Sequence, residues 1–382
     1  MRKFLPILAL TVMIAGLLPS SGSAQLVVTS PDYGASVFAF GHPETTVRDL
    51  GLMANAGLRW ARFDIPWRSV EASCRNCFDW TDLDRTVAAA SAAGLKIMAR
   101  VDRPPEWARP VTGLVDNGPP DDPEAYADFV QQIARRYAPG SAKGTINAIA
   151  VWNEPNLNRE WGGAIIDRNQ ASQYMYLLKL TYQHIKQISP GTIVVSAGLS
   201  PTGTNDGTAQ PDDVYLGWLY EDGLAQSSDV IGMHGAGFGS PPDAVPGSNP
   251  VLPGPWNYFR RVEQLQGIKA AYGDGAKPVW LLEFGWPANE ANVDGVAVAN
   301  PHPEYNFYAV TSEQQANYMV QAYQYARTNW SGWIGVMFIW NIADPTWTPA
   351  NEQFFWSITN PSGSTRLAYD RLAAARASGE LP

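Results

Sequence analysis

Residues 123–156 read PEAYADFVQQIARRYAPGSAKGTINAIAVWNEPN, and this segment gives the clearest indication of the fold class. Its first part, residues 123–137, has helical periodicity and opens with Pro123, a residue favoured in the first turn of a helix. Residues 146–153 form a short apolar run, which predicts a buried strand. A helix followed directly by a buried strand is typical of a parallel sheet built from βα units.

The same alternation extends along most of the chain. Further strands are predicted at residues 34–40, 58–64, 95–101, 192–197, 229–234, 278–284 and 333–340. Helices are predicted between and after them, at residues 47–56, 83–93, 171–188, 213–220, 258–272, 313–329 and 366–377. Thr311 and Gln314 have the spacing of a capping box before the helix at 313–329.

Eight such units predict an α/β fold of the (β/α)8 TIM barrel type. The alternative is a doubly wound open sheet, which usually carries a Gly-rich nucleotide loop after its first strand. Residues 40–43 read FGHP at that place and contain no such loop. We therefore expect residues 25–382 to form one barrel domain.

Proline and glycine are abundant, with 30 and 34 residues, and they concentrate in long segments that follow predicted strands. In a barrel these segments become βα loops on the C-terminal face, where barrel enzymes place their active sites. The segments are residues 102–122, 199–212, 235–256, 285–310 and 341–363.

The N-terminus has the pattern of a secretory signal peptide. Arg2 and Lys3 precede an apolar run at residues 4–18, and small residues follow up to Ala24. This pattern predicts cleavage after residue 24 and a secreted protein, extracellular or periplasmic. The alternative is an uncleaved anchor, although the run is shorter than the ~20 residues that a spanning helix needs. We expect no other membrane span.

The charge balance disfavours nucleic acid and anionic lipid as partners. The formal net charge is −9, and the chain has no basic run. An acidic protein of this kind is a poor ligand for nucleic acid or anionic lipid. The sequence does not predict an oligomeric state.

Cys74 and Cys77 are the two cysteines, and they form a C-x-x-C pair within a predicted loop. Thioredoxin-like chemistry would place this pair at the start of a helix in a small βαβ unit. A zinc site would need further ligands, and the four histidines are scattered. In an oxidising compartment the pair predicts a local disulfide. We expect no metal and no cofactor.

Two glutamates mark the predicted catalytic face. Glu154 ends the strand at 146–153, and Glu283 ends the strand at 278–284. In a closed barrel both strand ends meet at one mouth. A protonated carboxyl facing an ionised one is suited to cleavage of a glycosidic bond, and a separation of ~5–5.5 Å gives retention of configuration. Either glutamate taken alone is equally compatible with a structural ion pair.

These motifs resemble clan A of the glycoside hydrolases, and in detail its family 39 and the cellulase-like family 5. Asn153-Glu154-Pro155 is similar to the clan's acid/base motif, and Glu283 to its nucleophile. The segment at 59–67 resembles the second strand, whose arginine, here Arg62, lies beside the nucleophile. The resemblance implies a (β/α)8 glycosidase that needs no metal or cofactor.

Further candidate residues would bind the sugar. Asn153 can bond a 2-hydroxyl, an interaction that strengthens in the transition state. His42 and His234 can each bond a sugar hydroxyl or the nucleophile, with a purely structural role as the alternative. Trp340 resembles the clan's sugar-stacking tryptophan. Trp286 and Trp107, like the loop residues Trp256 and Trp347, would either floor outer subsites or pack the loops onto the barrel.

One position departs from the resemblance. Clan members often have a tyrosine shortly after the histidine of the sixth strand, and here Phe238 follows His234. Phenylalanine cannot donate a hydrogen bond to the nucleophile. Tyr305 or Tyr308 would then supply this bond, or the surroundings of the nucleophile differ.

The sequence thus predicts a secreted, retaining glycoside hydrolase whose partner is a carbohydrate, a poly- or oligosaccharide. A β-linked substrate and endo action are favoured. Two alternatives remain open: a transglycosylase of the same mechanism, in which a sugar intercepts the intermediate, and a non-catalytic carbohydrate-binding barrel.

Overall fold

The computed structural model describes residues 31–109, 117–302 and 307–382. The predicted signal peptide, residues 1–24, lies outside this range. Eight parallel strands form the central sheet. They are β1 (Asp32–Ser36), β2 (Trp60–Pro66), β3 (Lys96–Asp102), β4 (Ala148–Val151), β5 (Ile193–Ser196), β6 (Ile231–His234), β7 (Val279–Phe284) and β10 (Ile334–Ile339). The strands β8 and β9 form a separate hairpin, which is described below.

The strands curl into a barrel. Their order is β5-β4-β3-β2-β1-β10-β7-β6, and every pair within it is parallel. A parallel bridge between Val195 and Val230 joins the two ends, with the amide of Ser196 donating to the carbonyl of Val230 at 3.1 Å. The prediction of a (β/α)8 barrel is therefore confirmed, because the first and last strands of the order are hydrogen-bonded neighbours.

Helices cover the outside of the barrel, and their ends follow capping rules. Asp122 accepts a hydrogen bond from the amide of Glu124, with Pro123 in the first turn. Thr311 and Gln314 form the predicted capping box. The helices are α1 (Thr46–Asn55), α2 (Trp67–Val70), α3 (Thr81–Ala92), α4 (Pro123–Arg136), α5 (Arg168–Ile188), α6 (Asp212–Glu221), α7 (Arg261–Ala271), α8 (Ser312–Asn329) and α9 (Leu367–Ser378).

The apolar core has two layers. Alternate residues of the strands point inward and fill the barrel, including Trp60 and Trp280, whose rings pack edge to face with centroids 5.0 Å apart. Residues of opposite parity pack outward against the helices, as Ile97 and Ile149 do. Side chains alternate along a strand. The next inward-pointing residues towards the C-terminal end of each strand therefore lie at the mouth of the barrel.

One predicted loop contains regular structure. Residues 285–310 were expected to be a loop throughout, but Glu290–Val293 (β8) and Val296–Ala299 (β9) form an antiparallel hairpin. Its turn is Asp294-Gly295, and both residues have positive φ, 50° and 93°. Asp-Gly is a preferred pair for such tight turns, so the hairpin corrects the prediction for this segment.

Cys74 and Cys77 are joined in a disulfide between α2 and α3, with Cα atoms 5.3 Å apart. It closes a loop of a few residues and therefore acts locally. Within the described ranges, no helix is both long enough and apolar enough to cross a membrane.

Candidate active site

A cavity of about 870 Å³ lies at the C-terminal ends of the strands. Most of the residues that were predicted to bind or cleave a substrate line it. These are Glu154, Glu283, Asn153, Arg62, His42, His234 and Trp340. The strand ends thus bring together residues that lie far apart in the sequence.

The backbone turns sharply where β4 ends at the cavity. Trp152 and Glu154 both have positive φ, 73° and 36°, which is unusual for residues other than glycine. The amide of Glu154 donates to the carbonyl of Gly198 at 3.1 Å and holds this conformation. Such strain is kept where the surrounding structure fixes it, and it gathers at functional sites. Here it directs the carboxyl of Glu154 into the cavity.

His234 stands between the two glutamates. Its Nδ1 lies 3.0 Å from Oε1 of Glu154, and its Nε2 lies 3.9 Å from Oε1 of Glu283, beyond hydrogen-bond length. A Cβ atom on Gly198 would come within 2.2 Å of the imidazole, so only glycine leaves room for this ring. The buried imidazole therefore bonds to Glu154 and lies close to Glu283, although the two carboxyls come from different parts of the sheet.

The electrostatic surroundings favour the ionised form of Glu154. Burial alone would raise the pKa of this carboxyl, but the hydrogen bond with His234 and the charge of Arg159 outweigh it and lower the pKa to about 2. Nη2 of Arg159 lies 3.2 Å from Oε2 of Glu154. Glu154 is therefore a carboxylate at neutral pH.

Glu283 is held by arginines. Nη2 of Arg62 donates to its Oε1 at 2.7 Å, and Nη1 of the same guanidinium donates to Oγ of Ser36 at 2.8 Å. Arg62 is 1% exposed, so its position is fixed. Nη1 of Arg100 lies 3.9 Å from the same carboxylate oxygen. Glu283 is thus held in position by one buried guanidinium and lies near a second.

A network of charges beside Glu283 was not predicted. Arg100 is ion-paired with Asp64 on β2 and with Asp102 on β3, and Arg103 lies 3.7 Å from both carboxylates. Burial raises the pKa of Asp102, which is fully buried. Burial opposes ionisation of Asp64 too, but Arg100, Arg62 and Arg103 together outweigh it and lower the pKa. The network holds Arg100 within reach of Glu283.

An aromatic wall faces this charged side of the cavity. Phe38 packs against Trp347 and Trp340, with ring centroids 4.8 and 5.9 Å apart. The guanidinium of Arg62 lies 5.8 Å from the ring of Trp340, and the peptide bond between Trp340 and Asn341 is cis. One wall thus offers apolar faces, which suit the C–H surface of a sugar ring.

Two of the predicted tryptophans are placed elsewhere. Trp286 is 0% exposed, and its Nε1 donates to the carbonyl of Ser240 at 2.7 Å. Trp107 packs edge to face on Trp67, and its Nε1 donates to the carbonyl of Glu71 at 2.8 Å. Neither lines the cavity, so the assignment of both to substrate binding is corrected. Each N–H is already bonded to a carbonyl, and the rings fill the space between loop and barrel.

The other loop aromatic residues divide in the same way. Trp347 lines the cavity, whereas Trp256 packs between Gly203 and Gly254. Tyr308 packs edge to face on Phe238, with centroids 5.0 Å apart. Tyr305 lies outside the described residues. Arg62, which is not a tyrosine, donates a hydrogen bond to Glu283.

Some residues of the site were missed from sequence. Arg159 and Glu160 belong to a 3₁₀ turn that returns the chain to the cavity shortly after Glu154. Asp64, Arg100 and Arg103 also line it. The signal for the strand residues was present, because charges that alternate with apolar residues in a buried strand must point to the same face. The turn had no comparable signal.

No known family model matches the sequence, and no curated protein is significantly similar to it. Solved structures are similar. One is a family 39 glycoside hydrolase from the gut symbiont Bacteroides cellulosilyticus WH2, 18% identical, with a TM-score of 0.66 over 91% of this chain and 64% of that chain. Another is a glucosidase from Croceicoccus marinus, 14% identical, with a TM-score of 0.62 over 92% of this chain and 68% of that one.

This chain shares their fold. A third structure, GH5_18 from Streptomyces cattleya in complex with GlcNAc, is 16% identical, with a TM-score of 0.61 over 93% of this chain and 82% of that one. The resemblance to clan A barrels is thus confirmed at the level of the fold. This chain spans less than two thirds of the length of the family 39 structure. At these identities the likeness supports the fold, and function has to be argued from the site.

Proposed function

We propose that this protein is a retaining glycoside hydrolase that cleaves β-linked poly- or oligosaccharides, with Glu283 as nucleophile and Glu154 as acid/base. The observation that carries the proposal is the placement of these two carboxyls on either side of His234, at 3.0 and 3.9 Å, in one cavity at the barrel mouth. Barrel enzymes place their chemistry at this face.

The roles follow from the surroundings of each carboxyl. Glu283 accepts a hydrogen bond from the buried guanidinium of Arg62, which holds its carboxyl in one position for attack as a nucleophile. It attacks the anomeric carbon while Glu154 gives a proton to the leaving oxygen, and a glycosyl-enzyme forms. Glu154, now a carboxylate, takes a proton from water, and the water attacks the anomeric carbon to release the sugar and free Glu283.

The proposal also covers the linkage of the substrate, endo action and secretion. The similar structures include an exo-β-1,4-mannosidase from an Opitutaceae bacterium and GH5_18 from Bifidobacterium longum in complex with Manβ1-4GlcNAc, which supports a β-linked substrate. The open aromatic wall of Phe38, Trp340 and Trp347 supports a substrate of several sugars and therefore endo action. The pattern at residues 1–24 supports secretion.

The proposal is tested on a panel of β-linked oligosaccharides and aryl β-glycosides, with products followed by size and by NMR of the anomeric proton. We expect hydrolysis with retention, and longer oligomers before monosaccharide. The Glu283→Ala variant should lose activity and regain it with azide, giving a glycosyl azide of inverted configuration.

The matched variant is Glu154→Ala, which should keep its rate on aryl glycosides with good leaving groups and be rescued by azide with retention. Inversion by the wild-type enzyme, or a Glu283→Ala variant as active as wild type without azide, would overturn the proposed roles. Monosaccharide as the first product would replace endo by exo action.

A further inference from the structure

The 3₁₀ turn after β4 places an arginine between two carboxyls. Nη2 of Arg159 lies 3.2 Å from Oε2 of Glu154, and Nε of the same guanidinium lies 4.0 Å from Oε1 of Glu160. All three side chains line the cavity. Arg159 thus has two possible partners, one of which is the proposed acid/base.

The side chains of Arg159, Glu154 and Glu160 differ in exposure. The side chain of Arg159 is 69% exposed, while those of Glu154 and Glu160 are 12% and 20% exposed. Oε2 of Glu160 accepts a hydrogen bond from Nδ2 of Asn117 at 2.9 Å, and the carbonyl of Glu160 accepts one from Nε1 of the buried Trp152 at 2.8 Å. Glu160 is therefore held by these bonds and Glu154 by His234, whereas the guanidinium of Arg159 is the exposed member of the group.

The surroundings of Glu154 suit only one of the two protonation states that the proposed catalytic cycle requires. Glu154 has to be protonated when the glycosidic bond breaks, and ionised when water attacks. Its pairing with His234 and, to a lesser degree, with Arg159 outweighs burial and lowers its pKa to about 2, which favours the second of these states alone. Burial and the neighbouring charge of Glu154 raise the pKa of Glu160, which would gain from a cation of its own.

We propose that Arg159 is a positioning residue that moves from Glu154 to Glu160 when the leaving-group sugar occupies the cavity, and returns when that sugar departs. The inference rests on the proposed function and deepens it. Glu154 protonates the leaving oxygen, so the leaving sugar has to lie against the face of Glu154 that Arg159 now covers. The sugar displaces the guanidinium, and Glu160 receives it.

The proton balance follows from this movement. Once Arg159 has left, Glu154 takes a proton from solvent and passes it to the glycosidic oxygen, which keeps the electron pair of the broken C–O bond. Glu283 forms the new bond to the anomeric carbon. When the leaving sugar departs, Arg159 returns to Glu154 and stabilises the carboxylate. Glu154 accepts the proton of the attacking water and then releases it to solvent, which restores the ionised state and balances the proton taken up earlier.

Other charges act on Glu154 and must be separated from that of Arg159. His234 on β6 contacts it directly, Glu283 on β7 lies beyond the same imidazole, and Glu160 lies on the same turn as Arg159. Arg100 on β3 acts on Glu160. None of these is changed by Arg159→Gln, so this substitution isolates the proposed movement.

The first experiment does not depend on activity. Protein labelled with ¹³C at the glutamate carboxyls is titrated by NMR, and the signal of Glu154 is assigned by its loss in Glu154→Gln. Arg159→Gln should move the titration midpoint of Glu154 upward by about one pH unit, the usual effect of removing an adjacent arginine. Arg135→Gln, which removes the same charge from the exposed surface of α4, should leave it unchanged.

The second experiment uses the pH profiles of hydrolysis. The alkaline limb of kcat/KM reports the free enzyme, and that of kcat reports the complex. In the wild type the limb of kcat should lie at higher pH, because Arg159 leaves Glu154 only in the complex. In Arg159→Gln the two limbs should coincide. In Glu160→Gln, which removes the receiving charge, kcat should fall about tenfold on substrates with poor leaving groups, which need the acid.

An unchanged midpoint for Glu154 in Arg159→Gln would overturn this inference, even in an enzyme that hydrolyses β-glycosides with retention. So would wild-type limbs that already coincide. Failure of Glu283→Ala to show azide rescue would instead overturn the proposed function, and the NMR titration would still show whether Arg159 controls the charge of Glu154.

Discussion

Arg62 links Glu283 to the first strand of the barrel: its guanidinium donates to Glu283 at 2.7 Å and to Oγ of Ser36 at 2.8 Å. Three strands are thereby tied together at the mouth, since Ser36 ends β1, Arg62 lies on β2 and Glu283 on β7. A planar fork can make both contacts at once, whereas the ammonium of lysine is a point charge. The geometry of the Glu283 carboxyl therefore depends on an arginine at this position.

Arg62→Lys tests this dependence. The charge is kept but the fork is lost, so Glu283 becomes less well positioned, and we expect kcat/KM to fall roughly 100-fold, the lower end of the effect of removing one preorganised donor. The measurement is steady-state kinetics on an aryl glycoside. Ser36→Ala, which removes only the neutral contact, should lose less than about tenfold. Wild-type kinetics for Arg62→Lys would show that charge alone suffices.

The residues around Arg62 also show what the sequence could predict. Asp64 lies opposite Arg100 in the β2–β3 register, and Asp102 lies opposite Pro66. The alternation of charged and apolar residues in each strand was visible, and it placed these charges on one face. Which charges meet depends on the register between two strands, and register is set by packing across the whole barrel.

The loops were predicted less completely than the strands. The Asp294-Gly295 turn of the β8–β9 hairpin has a local signal, because few residue pairs adopt two successive positive φ angles. The contact between Arg159 and Glu154 has none, since it depends on the path of a 3₁₀ turn held by Asn117 and Trp152. Local rules therefore recover the elements and the pair of glutamates, but not the groups that set their charge.

Acid stability should depend on Glu154. Its pKa is lowered from the ordinary 4.5 to about 2, because His234 and Arg159 outweigh the effect of burial. A carboxyl with a lowered pKa stabilises the fold above its unfolded pKa, and this contribution is lost as the pH falls through the folded pKa. The Tm of the wild type should thus fall between about pH 4.5 and about pH 2, and less steeply in Glu154→Gln.

Glu380 provides the control for this measurement. It is ion-paired with Arg371 and also has a lowered pKa, but the pair lies at the surface. Exposed pairs contribute little to stability, so Glu380→Gln should follow the wild-type curve. Parallel curves for wild type and Glu154→Gln would contradict the assigned charge state of Glu154.

The disulfide should have a local effect. Cys74 and Cys77 are three positions apart, and a loop this short restricts the unfolded chain by at most about 2 kcal/mol. The double variant Cys74→Ala, Cys77→Ala should lower the free energy of unfolding by that amount or less, measured in urea, with kcat/KM unchanged. Neither cysteine lines the cavity. A large loss of activity would mean that the α2–α3 segment positions the site.

Two tryptophans that the sequence offered as candidates for substrate binding should behave in opposite ways. Trp340 lines the cavity beside Arg62, whereas Trp286 is enclosed in the core and bonded to the carbonyl of Ser240. A Cβ atom on Gly237 would come within 1.9 Å of the indole of Trp286, so this ring is closely packed.

Trp340→Ala should lower kcat/KM with little change in Tm, because it removes an apolar face from the cavity and not from the core. Trp286→Ala should lower the free energy of unfolding by about 3–5 kcal/mol, the usual result of truncating a buried tryptophan. The milder Trp286→Phe keeps the test open if the alanine variant does not fold, and its KM should equal that of the wild type. A raised KM with unchanged Tm in Trp286→Phe would return this tryptophan to the substrate site, since only contact with the sugar would change binding without loosening the core.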